Sequence, residues 1–114
     1  MNFAYESTFS HNDVDYSIAT MLRLIDKEKI SVTSTSLSSL RWALDQSPLK
    51  GEEHEKRIED ADMNFPIIIG NLPGRGSRVY IFDGLHRANK ALRANQKNID
   101  VYFLDAASVE MCRV

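Results

Sequence analysis

The segment Phe82-Asp83-Gly84-Leu85-His86-Arg87 gathers chemistry-bearing side chains where a strand should pass into a helix. The first turn of a helix has backbone N–H groups without intrahelical partners and carries a partial positive charge. A glycine there lets a ligand approach the backbone closely. Such a turn holds phosphate or another anion readily. His86 and Arg87 add side-chain donors, and the planar guanidinium fork suits phosphate oxygens. Asp83 can bind a metal, orient a hydroxyl or cap the helix. The plainer alternative for His86 and Arg87 is a helix N-terminus satisfied by its own neighbours.

The same helix has a basic face. His86, Lys90, Arg93 and Lys97 recur at i, i+4, i+7 and i+11, opposite Leu85, Ala88 and Leu92. Residues 72–97 hold six Lys/Arg and one acid. This face is either a solvated helix surface or a place for phosphate backbones. Upstream lies an acidic stretch, with Glu52, Glu53, Glu55, Glu59, Asp60 and Asp62 set against Lys56 and Arg57. Glu59, Asp60 and Asp62 can bind Mg²⁺, which prefers oxygen ligands and nucleotide phosphates; a solvated acidic loop is the alternative. His11 and His54 read as isolated surface residues.

The elements that must position these residues follow from periodicity. Residues 1–12 read as an arm and 13–114 as one domain. Asn12 or Asp13 can cap a helix, with Val14, Ile18, Met21, Leu22 and Ile25 at helical spacing. Ile30, Val32 and Thr33 to Thr35 read as a short strand. Ser36 or Ser38 can cap a second helix carrying Leu37, Leu40, Trp42 and Leu44, stopped by Ser47-Pro48. Residues 50–62 form a short helix or an ordered loop. Phe65-Pro66-Ile67-Ile68-Ile69 is apolar on both faces and suits a central strand, with Pro66 at its start. Asn71 to Ser77 is a turn by composition, with Gly74-Arg75-Gly76 as its hairpin tip. Arg78 to Phe82 is the next strand, and Gly84 breaks it before the helix. Ile99, Val101 and Phe103 mark the last strand, and Ala106 to Met111 a closing helical turn. The mixture of hairpin and crossover connections predicts an α+β fold, a mixed sheet with helices packed on it.

The bulk numbers fit that picture. The chain has 114 residues, 43% hydrophobic and 26% charged, as one globular domain requires. A net charge of −2 makes no global demand for nucleic acid or membrane. The single cysteine, Cys112, belongs to no CxxC or Cys/His cluster. No signal peptide is visible, and no apolar run approaches the roughly 18 residues of a membrane span. A cytoplasmic protein is the expectation.

Pro66-Ile67-Ile68-Ile69, a turn, the run from Val79 to Leu92 and then Ile99-Asp100-Val101 resemble the ParB/sulfiredoxin superfamily. The form Asp-Gly-x-His-Arg-x-x-Lys-Ala-Leu is similar to that of small stand-alone ParB-like proteins of bacteria and phages. The stretch Arg57 to Asp62 and Trp42 also fit. The resemblance covers residues 57–103 well and 30–105 loosely. It implies a ParB/sulfiredoxin-like fold and nucleotide binding, with ATP, CTP or ADP as ligand and Mg²⁺ as companion ion. Gly84, His86 and Arg87 are the positions that carry over, flanked by Leu85 and Lys90. In this fold Asp83, Glu59 and His86 become candidate catalytic groups for phosphoryl transfer, and Asp60 and Asp62 candidate metal ligands.

Two departures narrow the resemblance. Sulfiredoxins place a catalytic cysteine where this chain has Leu85, so their thiol chemistry is excluded at that site. Partitioning ParB proteins carry a DNA-reading domain with no counterpart in this sequence. Three classes of function follow. The first is a nucleotide-binding domain, possible as a phosphotransferase or NTPase. The second is a DNA-associated protein or nuclease acting through the basic face of the 84–97 helix. The third is a non-catalytic phage or mobile-element factor that binds a host protein.

Overall fold

The computed structural model describes residues 7–114. Within them a four-stranded mixed sheet, a two-stranded hairpin and five α-helices form one α+β body. The hairpin pairs β1 (Thr8–His11) with β2 (Val14–Ser17). Its turn residues Asn12 and Asp13 both have positive φ, 50° and 65°, which suits a tight two-residue hairpin. The sequence predicts a helix from Asn12 or Asp13, but α1 spans Ile18–Lys27. Ser17 caps it, accepting from the Thr20 amide at 3.1 Å. Val14 fits the helical spacing by chance, because the preceding turn commits residues 14–17 to extended pairing. Within the expected arm, residues 8–11 form β1, and Phe9 packs edge-on against Phe82 at 5.0 Å between ring centroids. Residues 1–6 of the expected arm lie outside the described residues.

The large sheet has the order β3-β6-β4-β5. β3 (Thr33–Ser36) pairs antiparallel with β6 (Asn98–Leu104), and β6 runs parallel to β4 (Ile67–Gly70). β4 in turn pairs antiparallel with β5 (Tyr80–Asp83). β3 begins at Thr33 rather than Ile30, because the Ile30 amide bonds back to the Ile25 carbonyl and closes α1. Ser36, not Ser38, caps the next element, a single 3-10 turn over Leu37–Leu40 that leads into α2 (Arg41–Gln46). Residues 50–62 contain α3 (Glu52–Asp60). α4 (Leu85–Arg93) carries the chain from β5 to β6, and α5 (Ala106–Glu110) closes the fold.

Alternation along the strands divides the core between the two sheet faces. Ile67, Ile69, Ile81, Ile99 and Val101 pack against Leu40, Leu44, Ala88 and Ala91 of the α2–α4 side. Ile68, Tyr80, Phe82 and Leu104 pack against Met21, Leu24, Ile25 and Val109 of α1 and α5. β4 is therefore covered on both faces, which is why its sequence is an unbroken apolar run. Where β4 passes β6, a Cβ on Gly70 would stand 2.0 Å from the Leu104 carbonyl oxygen. That neighbour is backbone and cannot rotate away.

Gly70→Ala is expected to destabilise the fold by about 1–3 kcal/mol, the range for overpacking a core. Urea unfolding should show a lower midpoint at an unchanged slope.

Candidate functional site

The β5–α4 turn is built by Gly84 and Arg87. Gly84 has φ +99°, and a Cβ there would meet Ile67 Cγ2 at 2.4 Å and Arg87 Nη2 at 3.0 Å. The glycine is required by the approach of β4, before any ligand is considered. Arg87 is largely enclosed, with 17% of its side chain exposed. Its Nη2 donates to Asp83 Oδ2 at 3.1 Å, and its Nη1 donates to the carbonyls of Phe65 at 3.1 Å and Pro66 at 3.2 Å. The guanidinium thus ties the start of α4 to the chain just before β4. Asp83, half-buried, is the ionic partner of Arg87 rather than a cap, since Gly84 holds the N-cap position.

The basic face of α4 meets α3. His86 Nε2 lies 3.1 Å from His54 Nδ1. Their ring centroids are 5.3 Å apart and the ring planes are inclined by 25°, so the rings meet edge to edge in a nearly common plane. Lys90 Nζ donates to the carbonyls of Glu59 at 2.7 Å and Ala61 at 3.0 Å. It thereby caps the C-terminal end of α3, where a cation is favoured. Arg93 forms a two-pronged pair with Glu55, one prong being Nη2 to Oε1 at 2.9 Å and the other Nη1 to Oε2. Each group is held away from its ordinary pKa, Glu55 downward and Arg93 upward, first by that side-chain hydrogen bond. Three of the four residues on the predicted basic face therefore have partners on or just after α3.

A cleft of about 800 Å³ opens between α3 and the first turn of α4. Its walls include Lys56, Arg57, Asp60 and Asp62 on one side and Asp83, Gly84, His86 and Arg87 on the other, with Phe65 at the rim. The first helical bond of α4 is Ala88 N–H to the Gly84 carbonyl, so the amides of Leu85, His86 and Arg87 precede its ladder. Of the nominated residues, Asp60, Asp62, Asp83, Gly84, His86 and Arg87 share this cleft. Glu59 is exposed on α3 and does not line it; its backbone carbonyl receives Lys90. Asp62 Oδ1 accepts from the Asn64 amide at 3.0 Å. Leu85 points to a second cavity, shared with Trp42 and Tyr80. Among the described residues no group of three or more His, Cys, Asp or Glu side chains converges as a metal site. Cys112 is buried, donates to the Ser108 carbonyl at 3.4 Å, and has its thiol pKa pushed up by burial.

The sequence reading missed His54. Treated alone, it is a surface histidine; the pairing of an acidic stretch with a basic helix face of similar length was the available signal that α3 docks on α4. His11 is not a free surface group either. Its Nε2 is sealed from solvent without a hydrogen-bond partner, and its ring meets Tyr80 in a T-shape at 5.3 Å. No helix among the described residues is long and apolar enough to cross a membrane. No protein-family model matches the chain, and no curated protein matches it.

Arg87→Ala would leave two carbonyls and a carboxylate without their donor. It is expected to cost about 2–3 kcal/mol in denaturant unfolding, several times the loss at an exposed arginine such as Arg41. The His86 pKa is lowered by burial first, then by the nearby His54 and Arg57. The unfolded chain therefore takes up this proton before the folded one does. The His86 contribution should be complete above the ordinary histidine value of about 6.5 and decline as pH falls through it toward the lower folded value. Thermal melts from about pH 7.5 to pH 5 should show a steeper decline for the wild type than for His86→Gln.

Proposed function

We propose that the chain is a ParB-like nucleotide-binding protein whose phosphates lie in the cleft between α3 and the first turn of α4. The observation that carries this reading is the meeting of unladdered α4 amides with the exposed cations Lys56 and Arg57 across one cleft. Its volume falls within the range of small-molecule sites. Phe65, 62% exposed at the rim, offers a π-face on which a base can stack. Arg87 is engaged by Asp83 and two carbonyls, so it shapes the turn, and Lys56 and Arg57 take the phosphate contacts instead. Asp60 and Asp62 line the cleft and would share Mg²⁺ with those phosphates, since that ion is commonly held by one or two carboxylates plus phosphate oxygens. Asp83 is the carboxylate nearest the turn that can serve as base in a phosphotransferase or NTPase reaction.

The DNA reading has less support, because Lys90 and Arg93 already face α3 and Arg78 lies over the Trp42 ring at 4.2 Å. A protein-binding role without nucleotide is the outcome if the cleft proves inert.

Calorimetry with ATP, ADP, CTP and GTP, with and without Mg²⁺, tests the proposal. At least one should bind, and the double variant Lys56→Ala/Arg57→Ala should weaken it about tenfold or more, as charge-assisted bonds of this kind imply. Arg93→Ala should leave nucleotide affinity unchanged. Absence of binding to all four at millimolar concentration would sink the reading.

A further inference from the structure

Two imidazole nitrogens confront each other at the α3–α4 seam. The geometry points to a binding site there for a divalent transition-metal ion such as Zn²⁺, Ni²⁺ or Cu²⁺, held between His54 Nδ1 and His86 Nε2. Their separation is 3.1 Å. Metal–imidazole bonds of about 2.0–2.1 Å place adjacent nitrogens about 2.9 Å apart at right angles and about 3.4 Å apart in a tetrahedron. The observed spacing lies between these values; an ion bonded to both nitrogens sits about 1.3 Å off the line that joins them, so each ring must turn by roughly 40° to aim its lone pair at it. The edge-to-edge approach already turns a nitrogen of each ring toward the other. In a stacked pair the nitrogens would instead lie side by side.

The proton count permits the exchange. When both rings are neutral, the metal-free contact is an N–H···N bond in which one ring carries its proton on the inner nitrogen. Binding requires that ring to move the proton to its outer nitrogen. Both rings then offer lone pairs to the ion, with no net release of protons. Imidazole ligands favour Zn²⁺, Ni²⁺ and Cu²⁺, whereas Mg²⁺ takes oxygen. His86 lines the cleft, so the remaining positions of the ion open toward water. The Arg57 charge opposes a cation here, and Glu53, paired with Arg57 at 3.4 Å, offsets it. The two ligands come from different helices, so a bound ion would also fasten α3 to α4. This inference does not rest on nucleotide binding.

The test uses untagged full chain, without nucleotide, titrated calorimetrically with ZnCl₂, NiCl₂ and MgCl₂. One equivalent of Zn²⁺ or Ni²⁺ should bind. His54→Ala and His86→Ala should each weaken that binding tenfold or more, and His11→Ala should leave it unchanged. Cu²⁺ loaded in its place should show nitrogen hyperfine structure in electron paramagnetic resonance, lost in His54→Ala. Circular dichroism checks that each variant folds; should His86→Ala fail, His54→Ala decides alone. No Zn²⁺ or Ni²⁺ binding at millimolar concentration, or binding indifferent to His54→Ala, would overturn the assignment. Titrating nucleotide with Mg²⁺ into His54→Ala reads the nucleotide proposal separately.

Discussion

The guanidinium of Arg87 reaches back across the β5–α4 turn to Asp83 and outward to the carbonyls of Phe65 and Pro66. These partners lie at the edges of two strands that pair in the β4–β5 ladder. Gly84 makes the arrangement possible, because any side chain there would press on Ile67. The strand pair, the start of α4 and the segment preceding β4 are therefore fixed relative to one another by one arginine and one glycine. The candidate groups on the α4 wall of the cleft, Asp83, Gly84, His86 and Arg87, take their positions from this junction.

The second organising contact is the seam between α3 and α4. α3 contributes a single buried side chain, Ile58, so apolar burial alone gives it little reason to dock. Complementary charge and capping supply the rest: Glu55 with Arg93, Lys90 on the last carbonyls of α3, and the histidine pair. Exposed ion pairs are individually weak, whereas several contacts of different kinds along one seam specify orientation. The result is a cleft whose α4 wall is firm and whose α3 wall is held chiefly by polar contacts. A ligand bridging the two walls would add to the hold on α3.

Most elements were legible in the sequence. The Ile67–Ile69 run announced a strand covered on both faces, and the Asp83-Gly84 break announced the strand-to-helix turn. The exposed Ser/Thr strand and the Ser47-Pro48 stop were also readable. The error at residues 12–17 came from Val14, which satisfies a helical period that the tight turn at Asn12-Asp13 overrides. Partnerships were less legible than elements. Arg87 is the same residue whether it greets a phosphate or clasps two carbonyls, and periodicity cannot tell the two apart. Likewise a basic stripe looks solvated until an acidic helix is laid against it.

The sequence by itself determined the mixed α+β character, the central place of β4 and the location of the turn at Asp83 to Arg87. These rest on local quantities: side-chain period, backbone freedom at glycine and the restrictions set by proline. Only the tertiary structure decided what each polar group faces. It made Arg87 a clasp, turned Lys90 and Arg93 toward α3, left Lys56 and Arg57 exposed on α3 and brought His54 to His86 across 32 positions of chain. Such pairings depend on how two helices settle against a sheet and each other, and no short-range pattern encodes that distance.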